Sequence, residues 1–173
     1  ISDTMPTSVT LSGFKEFGDK LKNMPKTLER EIGGEVKDAA ELWAAGAKRA
    51  APADVGFLRG NISVSKVTVT EWEVTSHSEY SAYMEWGTKT RVSVPADLQG
   101  YANQFRGGLN QGGAKKAIFK WMDRVGVPKE RQWVVFMSII IKGVHPHPFF
   151  FIQRPLVEKQ LYSGVTNILN REH

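Results

Sequence analysis

From Leu28 onward the apolar residues fall at Leu28, Ile32, Val36, Ala39, Ala40, Trp43, Ala47 and Ala50. Steps of three and four put them on one face of a helix about six turns long. Pro25 suits its first turn, where a missing N–H costs nothing, and Pro52 ends it. Gly33-Gly34 interrupts the stripe at a cost of roughly 1 kcal/mol per glycine relative to alanine. The pair reads as a kink, a break, or a close approach by another backbone. Downstream the period changes to two. Trp72 and Val74 alternate with Glu71, Glu73 and Thr75, which predicts a strand over 71–76. In the strand predicted before it, over 62–70, Ile62 and Val64 hold even positions while Val67 and Val69 hold odd ones. That slip of phase predicts a bulge near Ser65-Lys66. Thr70-Glu71 is short enough to join the two strands as a hairpin.

Three further helical stripes lie downstream. One spans 114–125, with Ala117, Ile118, Trp121 and Met122 on one side and Gly126 as its stop. A second starts at Pro128-Lys129-Glu130 and carries Trp133, Phe136, Met137, Ile140 and Ile141. The last runs from Leu156 to Leu169 with its stripe at Val157, Leu161, Val165 and Ile168. At the other end, residues 1–8 read as a loose arm, 9–14 as a short strand and 14–21 as a short amphipathic helix. Between 88 and 113 a polar stretch is punctuated by Val94-Pro95, Gly100, Gly107-Gly108 and Gly112-Gly113. It reads as a long flexible loop of the kind that is usually functional. The expected fold is α+β and a single domain over 1–173. A small antiparallel β-sheet packs against a long N-terminal helix and a C-terminal helix, with 114–142 as a helical insertion after the loop.

Composition narrows the possibilities. The 173 residues are 41% hydrophobic and 24% charged, as in an ordinary globular chain long enough for one core. No run approaches the roughly 18 apolar residues of a membrane helix. The start, Ile1-Ser2-Asp3-Thr4-Met5-Pro6, lacks the basic opening and apolar core of a signal peptide, and it also lacks an initiator Met. The absence of cysteine excludes disulfides, thiolate metal sites and cysteine nucleophiles. The net charge of +5 is spread along the chain without a block of like charges. It reads more readily as a solvated surface than as a nucleic-acid footprint.

Catalytic and cofactor signatures are weak. His145-x-His147 could present two imidazoles from an extended segment, but no third ligand is near in sequence, so no metal is expected. Ser78 or Ser81 with His77 and Glu79 lacks a strained nucleophile elbow. No phosphate-binding loop is present. The expectation is a protein that is not an enzyme and has no cofactor.

Three motifs remain, all built of turn-formers and bulky apolar groups: Ala51-Pro52-Ala53-Asp54-Val55-Gly56-Phe57-Leu58-Arg59; Tyr80-Ser81-Ala82-Tyr83-Met84-Glu85-Trp86-Gly87-Thr88; and Gly143-Val144-His145-Pro146-His147-Pro148-Phe149-Phe150-Phe151. In this order and spacing, after a helix ending Ala47-Lys48-Arg49-Ala50, the chain resembles the tail-completion or head–tail joining proteins of long-tailed double-stranded DNA bacteriophages, the type of lambdoid minor tail components. The resemblance covers about 9–169, and the helices of 114–142 match a variant of the family. Val55 departs from the threonine more often found before the glycine of the first motif.

The resemblance implies a structural virion protein of the neck, forming an oligomeric ring, expected to have six subunits, that completes the tail and joins it to the head. Implied partners are further copies of the chain, a head-completion or connector protein and the tail tube protein, with DNA passing through the ring lumen and no membrane. The implied location is the virion tail or neck, after synthesis in the host bacterial cytoplasm. Candidate interface residues are Tyr83, Glu85, Trp86, Gly87, Thr88, Arg91, Arg106, His147, Pro148, Phe149 and Phe150. For Trp86, core and interface readings are evenly balanced, and at least one of the three phenylalanine rings is expected in the core. Arg91 and Arg106 either face phosphate or acidic partner groups or are simply solvated. The chief rival, prompted by a pI near 9.5, is a basic nucleic-acid-binding module. A weaker one is a hydrolase using His77 or His145.

Overall fold

The long apolar stripe folds as one uninterrupted helix, α1 (Lys26–Ala50), capped by Pro25 and closed by an Ala51 N–H donated to the Ala47 carbonyl at 2.8 Å. The computed structural model describes residues 7–10, 25–52, 57–78, 80–88, 94–106 and 112–171. After α1 come a single helical turn α2 (Phe57–Gly60), strands β2 (Ile62–Lys66) and β3 (Trp72–Ser76), and the short helix α3 (Ser81–Trp86). Next are a 3₁₀ turn (Ala96–Leu98), α4 (Gln99–Arg106), α5 (Gly112–Arg124), α6 (Lys129–Lys142), a second 3₁₀ turn (Phe151–Gln153) and α7 (Arg154–Arg171). A strand β1 (Thr7–Thr10) precedes them all. The class is α+β, as expected.

β2 and β3 form the predicted hairpin without the predicted bulge. Their antiparallel register runs unbroken from Ile62 opposite Ser76 to Lys66 opposite Trp72. The slip of phase has another cause: β2 stops at Lys66, and Val67 and Val69 lie in an exposed turn. That turn is closed by the Val67 and Thr68 N–H groups on the Glu71 carbonyl, at 2.9 and 3.0 Å. β1 pairs with the other edge of β3, from Thr7 opposite Ser76 to Thr10 opposite Glu73, giving the order β1-β3-β2. The strand therefore begins inside the stretch read as an arm. The helix predicted over 14–21 lies outside the described residues.

The glycine pair resolves in favour of close approach. A Cβ on buried Gly33 would collide with the carbonyl oxygen of Val69, where the hairpin turn lies against α1. Gly34 faces solvent and meets nothing. On its other flank α1 carries α7, antiparallel, with Gln153 against Gly46, Glu35 against Gly164 and Arg171 bonded to Glu31 at 3.3 Å. The stripe predicted for α7, Val157, Leu161, Val165 and Ile168, is the one it buries. These residues join Ile32, Val36, Trp43, Leu58, Ile62 and Val74 in a single core.

The reading of 88–113 as one long loop is corrected for its middle. Val94 and Ala102 are buried in the core, and Asp97 is fixed to Arg154 at 2.6 Å. An eight-residue helix containing a glycine shows no legible stripe, and its stability comes from the surface it packs on. Helices α5 and α6 fall close to their predicted bounds and form a hairpin with apolar contacts of its own. Met122 and Phe136 are buried and Phe119 lies 5.3 Å from Phe136. Gly126 turns the chain at φ 76, and the Val127 N–H reaches the Met122 carbonyl at 2.9 Å. Arg124 ties this hairpin to the body, its guanidinium 3.9 Å above the Phe57 ring, a cation–π contact. Among the described residues no helix is long and apolar enough to cross a membrane.

The glycine pair supplies an internal control. Gly34→Ala should stabilise the fold by about 1 kcal/mol, the helix-propensity gain at an open site. Gly33→Ala should destabilise it by roughly 1–3 kcal/mol, because a backbone carbonyl cannot move aside cheaply. Denaturant unfolding of both variants checks the opposite signs.

Candidate functional site

The second and third motifs meet where Met84–Thr88 runs beside Val144–Phe151. α3 ends at Gly87, whose φ of 65 and ψ of 177 fall in a region essentially confined to glycine. A Cβ there would also stand 2.8 Å from both the Pro146 ring and the Val144 carbonyl. Past that turn, Thr88 and Val144 exchange bonds: the Thr88 N–H donates to the Val144 carbonyl at 3.2 Å, and the Val144 N–H to Thr88 Oγ1 at 2.8 Å. The His147 N–H then donates to the Met84 carbonyl at 2.6 Å.

Beyond Pro148, three consecutive backbone N–H groups converge on one side chain. Phe149 and Phe150 donate to Glu85 Oε2 at 2.8 and 2.9 Å, and Phe151 to Oε1 at 3.0 Å. These donors lead into the 3₁₀ turn 151–153 and α7, where backbone N–H groups lack intrahelical partners. Glu85 is only 1% exposed. Burial pushes its carboxyl above the usual value, against the opposing pull of the three N–H groups and of His147. The geometry is that of a small anion site, and the chain's own carboxylate fills it.

The first motif closes the joint from the other side. Arg59 donates twice to the Ala51 carbonyl, at 3.2 and 3.0 Å, and His147 Nε2 lies 3.3 Å from the Ala50 carbonyl. Both serve the open carbonyls at the C-terminus of α1, which lack intrahelical donors. Trp43 Nε1 donates to the Phe150 carbonyl at 2.8 Å, and Trp86 packs on Phe151 with centroids 4.9 Å apart. All three motifs thus meet at one end of α1.

This placement corrects much of the interface reading. Glu85, Trp86, Gly87, Thr88, Phe149 and Phe150 are buried within the chain, so they bind its own segments together. Tyr83 and Pro148 are half-buried, His147 is exposed, and burial raises the Tyr83 hydroxyl above its usual value. Arg106 is the last residue of α4. Arg91 lies outside the described residues. His145 is exposed, and among the described residues no group of three or more His, Cys, Asp or Glu is placed to hold a metal. His77 bonds to Ser63 at 2.7 Å. Glu79, the carboxylate weighed beside it, is outside the described residues.

Trp43 stood in the α1 stripe and Arg59 in the first motif, but no pattern marked either as a hydrogen-bond donor of the joint. Glu85 was named as an interface candidate, and the signal for its inward role was a lone carboxylate inside the apolar run Ala82-Tyr83-Met84-Glu85-Trp86. The charge also proves less scattered than it looks along the chain. Residues 112–142 hold seven basic and two acidic side chains, so this hairpin carries the whole net charge of +5. On its outer helix, Trp133 and Val134 are 55% and 69% exposed.

Residues 15–87 match the model of a family described as "Bacteriophage HK97-gp10, putative tail-component". Over that stretch the resemblance to a phage tail-protein family is borne out. The match takes in the first two motifs and stops at Gly87, while the third motif, outside it, is bonded to the matched region through Glu85. No curated protein and no solved structure matches the chain.

The joint of this tail-component-like chain can be probed at two positions. Glu85→Gln replaces one acceptor with a donor facing a buried N–H, and should cost on the order of 1–3 kcal/mol. A carboxyl raised in the folded state contributes proton-linked stability that is complete below its unfolded value of 4.5 and is lost as pH rises through the folded value. The gap between wild type and Glu85→Gln should therefore narrow as pH climbs above 4.5, as read from denaturant midpoints at several pH values. Trp86→Ala should cost about 3–5 kcal/mol in a thermal melt, as for a core aromatic, whatever its effect on assembly.

Proposed function

We propose that the chain is a structural protein of the phage neck, which assembles as a ring of identical copies, completes the tail and joins it to the connector of the head. The observation that carries this reading is the tail-component match over residues 15–87. The three-motif joint supports it by giving a chain with little cleft chemistry a stiff body. Among the described residues Glu85 is the one buried carboxylate, and its oxygens are committed to backbone N–H groups. On this reading the protein is not an enzyme. It works as a spacer and adaptor in the virion, after synthesis in the bacterial cytoplasm. Its neighbours are a connector protein on one side and the tail tube on the other, with DNA threading the lumen.

One observation favours a second reading. The concentration of the net charge in residues 112–142 suits a nucleic-acid-binding module, whose affinity would fall steeply with salt.

Sedimentation of the purified chain and immunodetection in purified particles test the proposal together. Expected are a species larger than a dimer and a signal in tailed virions. A chain that stays monomeric at every concentration and is missing from particles overturns the neck reading, and DNA affinity that collapses between about 50 and 200 mM salt would then support the second.

A further inference from the structure

A ring of identical subunits needs two unlike surfaces that fit one another, because each contact is head to tail. We propose that the α5–α6 hairpin of one copy seats its outer apolar face on the α1–α7 face of the next copy. This rests on the self-association reading above and adds which surfaces meet.

The donor surface is the outer side of α6. Trp133, Val134, Met137 and Ile141 are 55%, 69%, 37% and 66% exposed. Their spacing of one, four and eight residues gathers them within about 100° of the helix circumference. A contiguous apolar patch of this kind marks an interaction site, and an exposed aromatic such as its Trp133 is the usual anchor. Basic side chains border it: Lys115 lies 5.5 Å over the Trp133 ring, and Lys116 and Lys142 are exposed nearby in the same hairpin.

The receiving surface lies on other elements. Ile152 and Leu156, four residues apart, are 60% and 55% exposed. Leu156 borders an open concavity of about 450 Å³ that Glu35, Lys159, Gln160 and Gly164 also line. Along the flank of α1 beside it, Glu31, Glu35 and Asp38 fall on successive turns of one side, with Glu31 and Glu35 reaching α7 at Arg171 and Gly164. Glu31 is already paired with Arg171, so Glu35 and Asp38 are the carboxylates offered to the basic rim, and exposed apolar side chains meet exposed apolar side chains.

The complementarity selects a second copy of the chain over a nucleic acid. Phosphate contacts need cations and polar donors; the hairpin's basic side chains could supply these, but its exposed Trp-Val-Met-Ile face would then stay uncovered, whereas an apolar protein surface would cover it.

A mixing experiment tests the pairing. One variant, Trp133→Ser with Val134→Glu, spoils only the hairpin face; another, Leu156→Glu with Asp38→Lys, spoils only the receiving face. All four positions are exposed, and circular dichroism melts check that both variants fold. Each alone should associate at least about thirtyfold more weakly than wild type and sediment as a monomer. An equal mixture should recover one intact junction and give a one-to-one dimer, with nothing larger. A folded variant that still assembles like wild type, or a mixture that stays monomeric, overturns the pairing while leaving the ring reading intact. A monomeric wild type overturns both. Should either variant unfold, the absence of native cysteine permits a substitute. Val134→Cys chains mixed with Leu156→Cys chains should form mixed disulfide dimers on mild oxidation, and only same-type dimers, or none, overturns the pairing. Loss of DNA binding in the hairpin variant with assembly unchanged would assign the face to nucleic acid and overturn it as well.

Discussion

A carboxylate removed from water is tolerable only where its oxygens find donors, and in this protein one such group organises the fold. Glu85 takes three successive backbone N–H groups from Phe149, Phe150 and Phe151. The short helix bearing it is thereby fastened to the turn that opens the last helix. Because the acceptor is a side chain and the donors are backbone, the register of the proline-rich segment is set to the residue: a slip by one position would leave a buried N–H without a partner. Trp43 adds a bond to the Phe150 carbonyl at 2.8 Å, so α1 is held to the same segment.

The joint explains how distant stretches share one core. α1 offers its apolar stripe to the sheet, to α7 and, at its C-terminal end, to all three motifs. Arg59 and His147 serve carbonyls at that end, and Gly33 lets the hairpin turn lie flat against its other part. The similarity to a tail-component family ends at Gly87, two residues after Glu85. The chain beyond Gly87 is therefore connected to the matched region by the buried Glu85 bonds rather than appended to it.

Interior and surface divide the work in an order that the motifs do not suggest. Among the described residues of the motifs, Trp86, Gly87, Phe149, Phe150 and Phe151 are buried and stiffen a single chain. Surfaces free for contact lie on helices that carry no such motif, above all α6, whose exposed Trp133 and Val134 sit in the hairpin holding the net charge. In the proposed ring, a rigid body of α1, the sheet and α7 would receive this hairpin from its neighbour.

Long periodic elements were legible in the chain itself. The stripe of α7 matched its buried face residue by residue, that of α1 did so except at half-buried Ala50 and at buried Gly33, Ala44 and Gly46, and the helices of the hairpin were bounded by Gly126 and Pro128, because a period of 3.6 sustained over several turns has few other meanings. The β2–β3 hairpin was legible too, although its bulge was not there: residues of a turn were counted as strand, and alternation cannot tell the two apart where the chain leaves the sheet. α4 was invisible because eight residues with a glycine among them are too few to show a periodic stripe, and so short a helix depends on tertiary packing. The role of Glu85, and the inward direction of Trp86 and Phe150, were decided only when segments some sixty residues apart in sequence came together. Local pattern specifies which way a helix faces. Which partner a buried carboxylate finds is a property of the assembled core, since the donors that stabilise it exist only there.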